Sequence, residues 1–462
     1  MSARVLVALL LTGRLLSAQE IRLDDYLRQV RARHPVARQA QLIVDVAEAE
    51  VRGAGGAFEP SLSASWDSKT FGGKSYYDEL GVKLSVPTAL GVDFKLGYDR
   101  AAGANLNPES ALPKNGLWSA GVSIPIGQRM LTDERRTAVE VARAGRVNAE
   151  GERTASLNKL TLTAAKDWAL WYETERRATL GREGVTLAEF RLGAVRSRVR
   201  NGDAAGIDTV EALLEVERRT VTRLEADAAA YSARLAAGLH LWDEAGRAAE
   251  LVPGQRPAPS APQLQFTDSA QIDRWIALAD RSHPDLIKLS AKVRQSEAQR
   301  TFAMQALLPA IALDLSSIGG SANEAVGASS RDFKGGASAK LAPLLVKDRA
   351  KFSQASAKLE RDRLEFERVR RETTNAIRDA ARTLAALGAQ VARQESAVDY
   401  ARQLRDGEQQ RFDAGESSLL LVNLRERTLL DEQGKLAALE AKRHAAEAAL
   451  AVAVGSFPLG VR

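Results

Sequence analysis

The sequence predicts a mainly helical chain that contributes strands to a transmembrane β-barrel and is built from two structural repeats. Three observations predict it. The stretch from about Val346 to Phe412 carries an unbroken helical pattern with apolar residues at heptad spacing. Shorter stretches alternate apolar and polar residues with period two, as strands with two unlike faces do. The order helix, strands, very long helix, tight turn, shorter helix occurs twice.

The long stretch is the clearest. Leu359, Phe366, Thr373, Ala380 and Leu387 recur every seven residues, and Ile377, Leu384, Val391 and Val398 do so offset by four. Between them stand Arg361, Asp362, Arg363, Glu365, Glu367 and Arg368, read as a solvated face. No Pro occurs from Leu344 to Ser456. At 1.5 Å per residue such a helix is about 100 Å long and needs antiparallel partners to cover its stripe.

Composition fits long helices better than several compact domains. Aromatics are 5% and charged residues 27%, of mixed sign. The net charge of +6 is not gathered into one basic patch, so nucleic acid is not an expected partner. Cys is absent, which excludes disulfide staples, thiol chemistry and a lipidated N-terminal Cys. Residues 1–18 read as a signal peptide: Arg4, the apolar run Val5 to Leu11, then Leu16-Ser17-Ala18 before Gln19, although Arg14 interrupts the pattern. Beyond it no apolar run reaches the roughly 20 residues of a membrane helix, so a membrane would be crossed by strands.

In order, residues 19–57 form a first helical segment, broken at Pro35, and 58–126 about four strands. Ser61 to Trp66, Leu80 to Val86, Val92 to Tyr98 and Trp118 to Ile126 all alternate. Trp66, Phe71, Tyr76, Tyr77, Tyr98 and Trp118 fall near strand ends, where membrane-interface girdles place aromatics. A soluble sheet with one wet face shows the same alternation, so the strands alone leave both readings open. Residues 127–248 are helical, from Gly127 to about Arg200 and again from Ile207 to Leu241, with a turn at 201–206. Pro253, Pro257, Pro259 and Pro262 mark a linker at 249–269. The second half repeats the order: a helix at 270–307, a hairpin at 308–345, helices at 346–455 with a turn at 413–418, and a tail at 456–462.

The repeat is measurable. His34-Pro35 and His283-Pro284 stand 249 residues apart, as do Pro60 and Pro309. Arg198 and Gly202 match Arg411 and Gly415 at 213. Most of the difference lies in the strands, so the first half carries one additional hairpin. Three hairpins cannot close a sheet without exposed edges, which implies a cyclic oligomer sharing one barrel.

Together the duplicated layout, the His-Pro helix starts and the turns Arg198-Val199-Arg200-Asn201-Gly202-Asp203 and Arg411-Phe412-Asp413-Ala414-Gly415-Glu416-Ser417-Ser418 resemble the TolC-like outer membrane efflux proteins. The resemblance covers essentially the whole chain after the leader. It implies a homotrimer with one β-barrel in outer membrane lipid and an α-helical barrel crossing the periplasm. It also implies a periplasmic adaptor (membrane fusion) protein and an inner-membrane pump of RND or ABC type, for which the trimer is the exit duct. The linker and tail then belong to a band around the tunnel. The turn residues Arg198, Gly202, Asp203, Arg411, Gly415, Glu416 and Ser417 become adaptor contacts. Counting as the family does, six and nine residues beyond each turn Gly, places Asp208 and Glu211 at the tunnel's inner aperture in one half. In the other half it places Leu421 and Leu424, a departure that suggests a partly hydrophobic gate. Asp208 and Glu211 also fit plain helix-start chemistry, and Arg198 and Arg411 fit either a carboxylate partner or solvated helix ends.

Enzyme chemistry is not expected. The four His residues, at 34, 240, 283 and 444, show no metal-ligand spacing, and His34 and His283 read as structural. Gly53-Ala54-Gly55-Gly56 lacks the Lys-Ser/Thr of a phosphate loop. No cofactor or metal is expected. The strands number six per chain, giving eighteen in a trimer, or twelve if one hairpin lies outside the barrel. A coiled-coil scaffold of the cell envelope without a pore, and a soluble cytosolic coiled coil, are the alternatives.

Overall fold

The computed structural model describes residues 20–103, 106, 112–252, 254–258, 268–327, 332–341 and 344–455. The leader, Pro253, Pro259 and Pro262 of the linker, and the tail at 456–462 lie outside the described residues. The fold is mainly helical. The chain divides into two compact units that cut across both repeats: Met1–Gln41, Thr154–His283 and Arg371–Arg462, and Leu42–Arg153 and Pro284–Arg370.

Helices of the first unit include α1 (Leu23–Arg33), the start of α2 (Pro35–Gly55), most of α3 (Glu134–Arg200), α4 (Gly206–Gly238) and α5 (Ser269–Ser282). Most of α8 (Val346–Asp413) and all of α9 (Leu419–Val454) belong to it as well. Two short strands, β1 (Glu20–Ile21) and β6 (Arg256–Pro257), pair in parallel. Both His-Pro junctions are helix boundaries. His34 and His283 are extended (ψ 138° and 124°), as residues before Pro must be, and each Pro opens the next helix. His34 Nδ1 accepts from the Val36 amide at 3.1 Å, a local structural task.

The two repeats bury equivalent positions. One core packs Tyr26 and Val30 of α1 on Ala164, Trp168 and Trp171 of α3 and Ala237 of α4. Its counterpart packs Trp275 and Ala279 of α5 on Ile377, Ala381 and Leu384 of α8 and Leu450 of α9. The offsets are the 249 and 213 of the sequence repeat. Bulk is redistributed between them: Trp168 corresponds to Ala381, and Ala237 to Leu450, in the repeat. Shared positions with exchanged volumes are what close packing allows in a diverged duplication.

Along α8, Ile377, Leu384, Val391 and Val398 are buried as the heptads predict, while Phe366 and Leu387 are only half-buried. Asp362 corrects the expectation of a solvated charge. It is fully buried, in the second unit, where it accepts from Ser296 at 2.7 Å and pairs with Lys292 at 3.3 Å and Arg361 at 3.0 Å. Burial alone would raise its pKa, but Ser296 and the two cations outweigh it and hold the carboxyl below its ordinary value. A further correction is the start of α3. Residues after Gly127 form a turn, and the helix begins at Glu134 because the Asp133 carboxylate caps the Arg136 amide at 2.8 Å.

The second unit carries one antiparallel sheet of β2 (Ser61–Phe71), β3 (Lys74–Pro87), β4 (Asp93–Ala102), β5 (Leu117–Gly127), β7 (Ala310–Gly319) and β8 (Phe333–Lys340), in that spatial order. The halves meet where β5 pairs β7. The register puts Leu62, Val82, Leu84, Phe94, Leu96, Ala120, Val122, Leu313 and Leu315 on one face. Ser63, Lys83, Lys95, Ser119, Ser123, Asp314 and Ser338 take the other, where Lys95 pairs Asp314 at 2.9 Å. The sheet is open: every residue of β2 and of β8 is exposed. A five-residue helix, α7 (Ala322–Val326), follows β7 and packs on β5 and β7; nothing in the alternation foretold it.

Candidate gate and docking turns

Two turns at the ends of α3 and α8 share one geometry. At the first, Gly202 N–H donates to Val199 O at 3.1 Å and Asp203 N–H to Arg198 O at 2.9 Å. At the second, Gly415 N–H donates to Phe412 O at 3.0 Å and Glu416 N–H to Arg411 O at 2.8 Å. This is the paired capping of a helix end by a left-handed residue, and Gly202 (φ 82°) and Gly415 (φ 79°) supply it without a Cβ penalty. The turns rest on a small core of Leu192, Val195, Ala212 and Leu419, flanked by Val199, Val216 and Phe412.

Arg198 is exposed in the last turn of α3, as a solvated helix-end charge is, and no carboxylate partner for it is found among the described residues. Its guanidinium lies over the Phe412 ring, 5.3 Å from the centroid, and so ties one turn to the other. Arg411 is exposed, 3.9 Å from the buried Glu408 carboxylate, which also accepts from Ser417 Oγ. Asp203, Gly202, Gly415 and Glu416 are exposed on the turns.

Asp208 caps its own helix: the Ala205 amide donates to Asp208 Oδ2 at 3.3 Å, half of a capping box. Glu211, one turn on, is half-buried, and its Oε1 has no hydrogen-bond partner among the described residues. Leu421 and Leu424 are 40% and 49% exposed on the first turns of α9. Exposed apolar residues also line α4 at heptad spacing: Ile207, Leu214, Val221 and Leu235, with Val210, Leu224 and Tyr231 offset by three. The signal for this seam is local, since Ile207, Leu214 and Val221 recur every seven residues in the sequence.

Behind the turns lies a buried polar cluster that sequence reasoning missed. Arg191 of α3 donates to Asn423 Oδ1 at 3.0 Å, to Gln409 Oε1 at 3.2 Å, and to both carboxylate oxygens of Glu426. Arg219 of α4 donates to Glu426 Oε2 at 2.8 Å, Glu215 Oε1 at 2.9 Å and the Gly184 carbonyl at 3.1 Å. Arg427 completes the set on Glu215 Oε2 at 2.9 Å. Four helices are thus joined through charge-assisted bonds, with Glu426 at the centre. Burial alone would raise the Glu426 pKa, but the bonds and charges of Arg191 and Arg219 outweigh it and hold it below its ordinary value. Only the Glu215–Arg219 spacing of four residues was a local signal; the other side-chain partners lie more than 200 residues apart.

The sequence-predicted aromatics gather at one end of the sheet. Tyr98 and Trp118 meet with tilted rings, centroids 4.9 Å apart, Phe71 meets Tyr76 edge-on at 6.1 Å, and Trp66 Nε1 donates to Asp78 at 2.6 Å. Tyr77 pairs across to Lys69 on the polar face instead, and Phe333, not anticipated, stands exposed at the same end. Among the described residues no helix is long and apolar enough to cross a membrane, and no group of three His, Cys, Asp or Glu is placed to hold a metal ion.

A match to the outer membrane efflux protein family spans residues 275–456, that is α5 through α9 with both second-half strands. Over this stretch the chain is similar to the outer membrane efflux protein family. No curated protein sequence matches. Among solved structures, the Campylobacter jejuni outer membrane channel CmeC superposes with a TM-score of 0.63 at 13% identity, covering 94% of this chain and 85% of that one. Vibrio cholerae VceC, an outer membrane protein, gives 0.62 at 15%, covering 94% and 96%. The open state of the Neisseria gonorrhoeae MtrE outer membrane channel gives 0.63 at 16%, covering 94% and 89%. At these identities the likeness is one of fold. The outer membrane efflux family is one of channels, not of enzymes, and its members generally form trimers that work with adaptor and pump partners.

Proposed function

We propose that this chain is the exit duct of a tripartite efflux or type I secretion system, passing exported substrates from an inner-membrane pump and a periplasmic adaptor across the outer membrane. The observation that carries the proposal is the open six-stranded sheet, apolar on one face, polar on the other and unpaired at both edges. An open edge and a bare apolar face are stable only where other copies and lipid cover them. Three copies then share one barrel. The helices at 127–248 and 346–455 are then its periplasmic portion.

The exposed heptad seam of α4 supports this assembly, since burying each of its Leu, Ile or Val side chains against another copy contributes about 1.5–3 kcal/mol. Transport needs no bond chemistry. The Gly202 and Gly415 turns meet the adaptor, and Asp208, Glu211, Leu421 and Leu424 line the inner aperture, where apolar rings gate by dewetting and the carboxylates set the ion preference. A poreless scaffold leaves the apolar sheet face without a task. Cell fractionation tests the proposal: recovery in the outer membrane as a heat-labile trimer supports it, and a soluble monomer ends it. Planar-bilayer recording tests the gate: Asp208→Asn raises conductance, and unchanged conductance and ion preference remove Asp208 from it.

A further inference from the structure

We infer that the barrel is closed by all six strands of each copy, with β2 of one copy pairing β8 of the next, so that the trimer encloses an eighteen-stranded pore. This rests on the trimeric duct proposed above and specifies its pore. The competing closure sets the β2–β3 hairpin outside, leaving β4 to meet β8 and twelve strands in the wall.

Two observations favour the wider ring. First, β2 and β3 are full-length spanning strands of 11 and 14 residues, where about 9–11 suffice. Second, β3 covers β4 along a continuous ladder from Asp78↔Ala102 to Pro87↔Asp93, so β4 has no free edge. Freeing it would break that ladder inside the hydrocarbon layer, at several kcal/mol for each backbone group left unsatisfied. The five successive antiparallel pairings leave β2, like β4, running opposite to β8, so direction permits either closure and the choice rests on the two observations above. The edges of two copies therefore meet antiparallel, a head-to-tail contact that generates a ring. Polar and apolar faces continue across the seam, because Ser63 and Ser65 on β2 and Ser338 on β8 share the polar face.

The consequence is bore. Strands about 4.8 Å apart and tilted about 40° give a wall roughly 36 Å across for eighteen strands and roughly 24 Å for twelve. Small residues such as Gly97, Gly121 and Ser316 on the polar face leave that width largely unfilled. A pore this wide does not select among exported small molecules, and selection falls to the inner aperture.

The chain has no Cys, so introduced pairs report cleanly. A cysteine replacing Ser61, Ser63 or Ser65 in turn is combined with Ser338→Cys, and a second set combines Lys95→Cys, Gly97→Cys or Asp99→Cys with Ser338→Cys. After mild oxidation of the outer membrane trimer, denaturing gels are read for chains linked to one another. The expected result is covalent trimer in at least one β2–β8 variant and none in the β4–β8 set. Linkage in the β4–β8 set, or intact heat-labile trimers with no linkage in either, overturns the eighteen-stranded closure while leaving the duct standing. Material that never forms a trimer overturns the duct itself, and this closure with it.

Discussion

Replacing Glu426 with Ala tests whether the turns are held in place by the polar cluster behind them. In the native chain this carboxylate receives both Arg191 and Arg219, and all three side chains are at least nine-tenths buried. Removing it leaves two buried guanidinium groups with part of their donors unsatisfied. The loss expected on breaking a buried pair from one side is about 3–5 kcal/mol, and Glu426→Gln, which keeps one acceptor, should lose about 1–3 kcal/mol. The four helices would loosen locally before the Trp168 core does. Hydrogen exchange followed by mass spectrometry reads this directly. Peptides around residues 184–219 and 408–427 should exchange about 10²–10³ times faster in Glu426→Ala, with those around Trp168 unchanged. The same protection in variant and native chain would mean that the cluster holds nothing, and that the apolar contacts of Leu192, Val195 and Leu419 suffice.

Acid should act on the same place. Because the Glu426 pKa is lowered in the folded chain, its contribution is complete above its ordinary value of 4.5 and is lost only as pH falls through the lower, folded value. Exchange around 408–427 should therefore hold steady from neutrality to about pH 5 and rise below it, and a rise already at pH 6–7 would point to another group. Trp168→Ala should destabilise the first unit by about 3–5 kcal/mol, read by denaturant unfolding, since the side chain is fully buried among Tyr172 and His444. Leu214→Asp should prevent trimer formation on native gels without changing the helical circular dichroism, because it charges the exposed α4 face that the proposed assembly covers.

The helices were legible because their signals are local and periodic. Ile377, Leu384, Val391 and Val398 repeat at sevens, and Pro35 and Pro284 punctuate two junctions. The strands were legible for the same reason, since Leu80 to Val86 can alternate only if one face differs from the other. What stayed hidden depends on partners far away in sequence. Arg191 looks like any helix-surface charge until Glu426, 235 residues on, comes to face it. Asp362 misled because a carboxylate inside a charged run reads as solvated, and only Lys292 and Ser296 from α6 (Pro284–Gln305) make its burial tolerable. Arg198 illustrates a third limit: its side chain could be placed at the turn, but its partner, an aromatic ring of the other repeat, could not.

In the proposed duct the apolar sheet face meets lipid and the polar face meets a water-filled lumen. Single cysteines at Val82, Leu84 and Val86, and at Lys83 and Ser85 between them, test it in the native membrane with a water-soluble maleimide. Labelling should alternate, strong at 83 and 85 and nearly absent at 82, 84 and 86. Equal labelling at all five positions would put both faces in water and contradict a membrane-spanning sheet.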